Sequence, residues 1–173
     1  LAGCGGGSKS AKKVSGKILT IEMGPEVETI DPALNTTNDG ANYITYLFDN
    51  LLRVDKDGKI APSMAEKYEV SDDGLTWTFH LRDGLKWSDG SDLTANDFVY
   101  SWQRMIDPEV AAPYAEITLG MLEGYEEAIG LPDADGNPTI DPDVTKLGVE
   151  ATDDKTLVVH MSSPTPYFDK LAT

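Results

Sequence analysis

The chain has 173 residues, 40% hydrophobic and 25% charged, enough for one domain with a real core, and contains no apolar run long enough to span a bilayer. Asp and Glu number 30 against 14 Lys and Arg, and the formal net charge of -16 repels nucleic acid and anionic lipid headgroups. A single cysteine excludes a disulfide within the chain.

That cysteine, Cys4, ends the run Leu1-Ala2-Gly3-Cys4, which resembles a bacterial lipobox, the site where signal-peptide cleavage leaves an N-terminal cysteine that takes lipid. The alternative is a processing remnant. Residues 5 to 13, GGGSKSAKK, read as a flexible tether, so residues 1–16 are taken as lipobox and tether, with the globular part on the extracytoplasmic side. Alternation over residues 17 to 23, KILTIEM, predicts a half-buried strand, which Pro25 and Asp31-Pro32 close off into a turn-rich loop over 24–40. Asn38 or Asp39 is expected to cap a helix over residues 40–52, with Ile44, Leu47, Phe48 and Leu51 on one face.

Asp57-Gly58 marks a hairpin, and a second is predicted around Asp72-Asp73-Gly74, with Trp77, Phe79 and Leu81 facing one way and Thr76, Thr78 and His80 the other. Residues 147–162 repeat the device, and the two similar hairpins are placed in one mixed sheet. Between them, Thr94 and Asp97 have the spacing of a capping box, opening a helix with Phe98, Trp102, Met105 and Ile106 on one side and Asp107-Pro108 as its stop. A further helix is predicted over 118–129, then a surface loop over 130–143. The last residues, SPTPYFDKLAT, read as a helix just beginning, so a longer protein is expected.

Little here is reactive. His80 and His160 hold equivalent places in the two hairpins, yet neither has Cys, His or carboxylate at metal-ligand spacing, and both are read as outward-facing strand positions. The runs from Asp55 and Asp133 lack a workable twelfth-position acid and are read as plain turns, not calcium loops. No nucleophile elbow is present, and paired carboxylates such as Asp72-Asp73 lie in turns; no enzyme, no metal and no cofactor is predicted. Trp77, Trp87, Trp102, Tyr43 and Tyr46 are each assigned to the core, whereas Tyr114, after Ala-Ala-Pro in a loop, is read as a contact residue.

The residues from AEKYEVSDDGLTWTFHLR through KWSDG, LTANDFVYSWQR and APYA, with IDP and LFDNLL before them and PYFDKL after, resemble the solute-binding proteins of ABC importers, family 5, in the oligopeptide-binding branch. The resemblance runs over residues 17–173. It implies an α/β (mixed α+β) chain, the N-terminal part of a two-lobed periplasmic-binding-protein-like (type II) fold that closes on its ligand by a hinge. Residues 17–48 would be the first segment of main lobe I and 49–173 an additional small domain. It implies ligand contacts from Thr36, Thr37 and Asn38 and from Tyr114, and lipid attachment at Cys4. The implied partners are oligopeptides and permease subunits, the protein being a monomer anchored to the cell membrane. Dipeptide, nickel or oligosaccharide carriage, or peptide-pheromone sensing, are the alternatives on the same fold.

Overall fold

The computed structural model describes residues 20–131 and 141–173. In chain order these give helix α1 (Asn38–Leu47), strands β1 (Leu52–Val54), β2 (Ile60–Pro62), β3 (Ala65–Val70) and β4 (Thr76–Leu81), helices α2 (Ala95–Ile106), α3 (Ala115–Leu119) and α4 (Tyr125–Ile129), strands β5 (Val149–Asp153) and β6 (Thr156–His160), and helix α5 (Phe168–Leu171). The class is mixed α and β, as expected.

Each predicted hairpin forms where its turn chemistry puts it. Asp55 Oδ1 accepts the backbone N–H groups of Asp57 and Lys59 at 2.8 and 2.9 Å, and Gly58 takes φ 75°. Asp73 and Gly74 turn β3 into β4 in the same way, with Asp73 Oδ1 accepting from Leu75 N–H at 3.0 Å and Gly74 at φ 73°. The carboxylates in these turns are spent on the backbone.

The four-stranded sheet has the order β3-β4-β6-β5 and every pairing is antiparallel, so it is not mixed. The reason is that the two hairpins meet along their second strands. Thr76 pairs with His160, Thr78 with Val158 and His80 with Thr156, so equivalent residues exchange places across a local two-fold axis. The strands at the centre alternate strictly between buried and half-buried positions, because only one sheet face is covered. That face carries Trp77, Phe79, Leu81, Leu157 and Val159, all buried, with α2 and α5 packed on it. Phe168 of α5 enters edge-on to both Trp77 (5.4 Å) and Trp102 (6.2 Å).

Helix α2 begins as its sequence dictates. The Asp97 carboxylate accepts from Thr94 N–H at 2.7 Å and from the Thr94 hydroxyl at 3.1 Å, closing the capping box, and its other oxygen takes the Trp87 indole N–H at 3.2 Å. The tight turn before it, Trp87 to Ser91 with Gly90 at φ 92°, thereby hangs on the first turn of the helix.

Five further expectations are corrected. Residues 20–23 form no strand and 17–19 lie outside the described residues; no described strand runs beside them, and a lone strand has no partner for its backbone. The cap of α1 is Thr37, whose hydroxyl accepts Gly40 N–H at 3.0 Å, and not Asn38 or Asp39. The helix stops at Leu47 because the carbonyls of Asn50 and Leu51 accept from Met64 and Ala65, and Leu52 N–H donates to Ala172. The helix expected over 118–129 is two short ones, because residues 121–124 give their backbone to β6 and its neighbours: Ser162 N–H donates to Met121 O, Glu123 N–H to His160 O, and Gly148 N–H to Glu123 O. Finally, Trp87 and Tyr46 are exposed, since neither lies over the covered face of the sheet. Trp77 is core, as expected, and Trp102 and Tyr43 are half-buried.

Candidate functional site

The loop before α1 is held by a relay of side-chain to backbone bonds. Thr29 Oγ1 accepts Asp31 N–H, Asp31 Oδ1 accepts Ala33 N–H, and Asp31 O accepts from both Leu34 and Asn35. Pro32 presets the turn by its fixed φ. Asn35 then clamps Thr37 on both sides: its Oδ1 takes the Thr37 N–H at 3.3 Å and hydroxyl at 3.1 Å, while its Nδ2 donates to Thr37 O at 3.0 Å. Thr37 in turn caps α1.

Thr36 sits between the two clamped residues. It is exposed and makes no hydrogen bond among the described residues. Thr36 and Thr37, with Glu28, Thr29, Leu34 and Asn35, line an open cleft of about 400 Å³. Asn38, the first residue of α1, is exposed beside it but does not line it.

The loop is tied to the sheet unit from a distance. Arg104, in the last turn of α2, donates to Asp31 Oδ1 at 3.2 Å and to Oδ2 at 2.7 Å, a bidentate pair across 73 residues of chain. Chiefly through these hydrogen bonds it holds the Asp31 carboxyl below the usual aspartate range, against partial burial that pushes the other way. Among the described residues, these two are the hydrogen bonds that join residues 20–48 to the rest of the molecule. Sequence reading quoted Arg104 within its motif and gave it no part. An arginine in a last helical turn is ordinarily explained by the helix dipole, and no local pattern reports a partner 73 residues away.

Tyr114 lies elsewhere. It is 45% exposed at the head of α3, where its carbonyl accepts the Thr118 hydroxyl at 2.7 Å, and its own hydroxyl has no partner among the described residues. The approach to it is strained: Ala111 has φ 52°, in the left-handed region, with its N–H on Asp107 O. Tyr114 does not line the cleft of Thr36 and Thr37. Both segments nevertheless touch one helical turn, since Arg104 holds Asp31 and the neighbouring Met105 Sδ lies 3.7 Å from the Thr118 hydroxyl oxygen.

His80 and His160 point from the uncovered sheet face towards Glu69 (3.7 Å) and Glu150 (3.3 Å), each on the adjoining edge strand. Among the described residues no three of His, Cys, Asp and Glu gather as a metal site. Cys4 and the loop from Asp133 lie outside the described residues. No described helix is long and apolar enough to cross a membrane.

The model of the bacterial extracellular solute-binding proteins, family 5 Middle, matches residues 59–173. The chain belongs to this family. Among family relatives it is 45% identical over 154 residues to the periplasmic oligopeptide-binding protein OppA of Escherichia coli K12, covering 88% of this chain and 26% of that protein. It is 42% identical over 140 residues to the probable deoxycholate-binding periplasmic protein YgiS of the same organism, covering 81% of this chain and 25% of that one. The crystal structure of Haemophilus influenzae OppA in complex with RPPGFSPFR superposes with a TM-score of 0.75 at 39% identity, over 87% of this chain and 28% of that one. The chain thus spans about a quarter of the length of the curated relatives it matches. These family members are named as solute-binding proteins, not as enzymes.

Proposed function

We propose that this chain serves in an extracytoplasmic oligopeptide-binding protein that captures peptides and hands them to the permease of an ABC importer. The observation that carries this reading is the 45% identity to an oligopeptide-binding protein over 88% of the chain. In this reading Thr36, Thr37 and Asn38 and, from a second segment, Tyr114 contact the peptide. The free hydroxyls of Thr36 and Tyr114 and the side-chain amide of Asn38 suit it, since a carrier of many sequences reads the peptide backbone and leaves side chains in wet pockets. Residues 17–48 would belong to main lobe I of a two-lobed protein and 49–173 to its additional small domain. The exposed apolar residues of the first segment, Ile21, Ile30, Tyr46, Leu47 and Phe48, support that division. Lipid on Cys4 would tether a monomeric protein to the membrane through residues 5–16.

A second reading is favoured by the relative named for deoxycholate, 42% identical: a small amphipathic ligand in the same cleft. Mass spectrometry of small molecules released by denaturing the full-length protein, purified from its own host, decides between them. A mixture of short peptides is the expected result, and the spread of their lengths separates general uptake from pheromone sensing. A single sterol-like molecule, a metal or a sugar would discard the peptide assignment.

A further inference from the structure

We infer that Arg104 is the positioning residue of the Thr36 loop: from the end of α2 it fixes Asp31, and through Asp31 the orientation in which Thr36 and Thr37 meet a ligand. The inference rests on the reading of Thr36 and Thr37 as peptide contacts given above. The geometry is specific. A guanidinium fork spans both carboxylate oxygens, at 3.2 and 2.7 Å, so it fixes the direction of Asp31 as well as its distance. Asp31 is where the loop's internal relay starts, because its side chain and carbonyl receive Ala33, Leu34 and Asn35, and Asn35 clamps Thr37. A rotation imposed at Asp31 therefore travels rigidly to the cleft.

Nothing else described replaces this link by a hydrogen bond. The loop and α1 present Leu34, Tyr46, Leu47 and Phe48 to solvent, so little packing holds them against the sheet unit. The same helical turn also touches Thr118, four residues after Tyr114, through van der Waals contact with Met105. One turn of α2 is thus the common reference for both contact segments, and Arg104 is the half of it that reaches the Thr36 loop. Lysine would supply the charge without the fork.

The test uses the full-length protein with Arg104→Met, Arg104→Lys and the exchanged pair Asp31→Arg with Arg104→Asp, and two readouts: amide hydrogen exchange of residues 29–40, and calorimetric binding of trialanine. The expected result for Arg104→Met is faster exchange across 29–40 with residues 65–81 unchanged, an unaltered unfolding midpoint for the sheet unit, and affinity weaker by about tenfold or more, as for loss of a preorganised contact. Arg104→Lys should restore part of the affinity, which a merely structural role would not produce; the exchanged pair, which restores the ion pair but removes the Asp31 oxygen that accepts Ala33 N–H, should restore no more than that. Unchanged exchange over 29–40 in Arg104→Met overturns the positioning role whatever the affinity does. Faster exchange with wild-type affinity overturns it as a binding determinant and, with it, the assignment of Thr36 and Thr37 as contacts. Failure of the unmodified protein to bind trialanine while its own released ligands are not peptides would sink the peptide reading, and the exchange data alone would then rule on whether Arg104 orders the loop.

Discussion

Gly40 shows how little room the loop leaves. A Cβ placed there would lie 1.9 Å from Asn35 Oδ1 and 3.0 Å from Thr37 Oγ1, so alanine must displace the very amide that clamps Thr37. Gly40 is buried, and its N–H is the donor that Thr37 caps. Gly40→Ala is therefore expected to cost about 1–3 kcal/mol by overpacking and lost capping, read from urea unfolding, although alanine is the better helix former. A gain in stability would show that Asn35 can swing away freely. The contrasting site is Phe79, fully buried and within ring contact of Tyr68 (5.7 Å), Trp77 (6.3 Å) and Phe168 (6.2 Å). Phe79→Ala leaves a cavity at the centre of the sheet face and is expected to cost about 3–5 kcal/mol in the same measurement.

Among the elements, α2 depends on one carboxylate. Asp97→Ala removes both bonds to Thr94 and the acceptor of the Trp87 indole. The expected loss is about 1–2 kcal/mol, as for other N-terminal caps, together with a red shift of Trp87 emission as its turn loosens; Asp97→Ala with unaltered stability would mean that water replaces the cap. This helix and the hairpins were legible in sequence because their causes are local: Thr94 with Asp97, Asp73 with Gly74, and the alternation of Trp77, Phe79 and Leu81 all lie within a few residues. What was not legible came from partners far along the chain. Gly124, expected inside a helix, sits at φ 69° with the Lys146 carbonyl 2.0 Å from where its Cβ would be, and nothing within 118–129 announces Lys146. The antiparallel joining of the hairpins rests on β4 meeting β6, and the anchoring of the Thr36 loop on Arg104 meeting Asp31. Thr36, Thr37 and Asn38 came from resemblance, and Tyr114 from its place in a loop as well as from resemblance; the structure puts the first two on one cleft and Tyr114 outside its lining.

At the scale of the molecule, two opposing electrostatic effects can be ranked. The exposed pairs Lys56–Asp57 and Lys67–Glu69 are screened by water and weaken further with salt. The net charge of -16 opposes compaction, and salt relieves it as the Debye length shrinks from about 30 Å at 0.01 M to about 8 Å at 0.15 M. Repulsion should win, so the melting temperature at pH 7 is expected to rise with added NaCl; a fall would give the pairs the larger share. Acid acts through the lowered carboxylates. Asp31, held down by Arg104, and the turn residues Asp73, Asp89 and Asp143, held down by Ser71, Ser91 and Thr145, have folded values below the ordinary 3.8. Their contribution is complete above that value and is lost as pH falls through the lower folded ones, so an acid titration by circular dichroism should show stability dropping below pH 3.8. Arg104→Met should flatten the part of that drop due to Asp31. The last outcome concerns the proposed division of the chain. Leu47 is 58% exposed here, so Leu47→Asp in the 173-residue chain should change stability by no more than about 0.5 kcal/mol. If the rest of main lobe I covers that side of α1 in the full-length protein, the same substitution buries a charge against an apolar face. It should then cost several kcal/mol, with a matching fall in the unfolding midpoint. Equal, small effects in both proteins would mean that nothing covers α1, and the assignment of residues 17–48 to that lobe would have to be withdrawn.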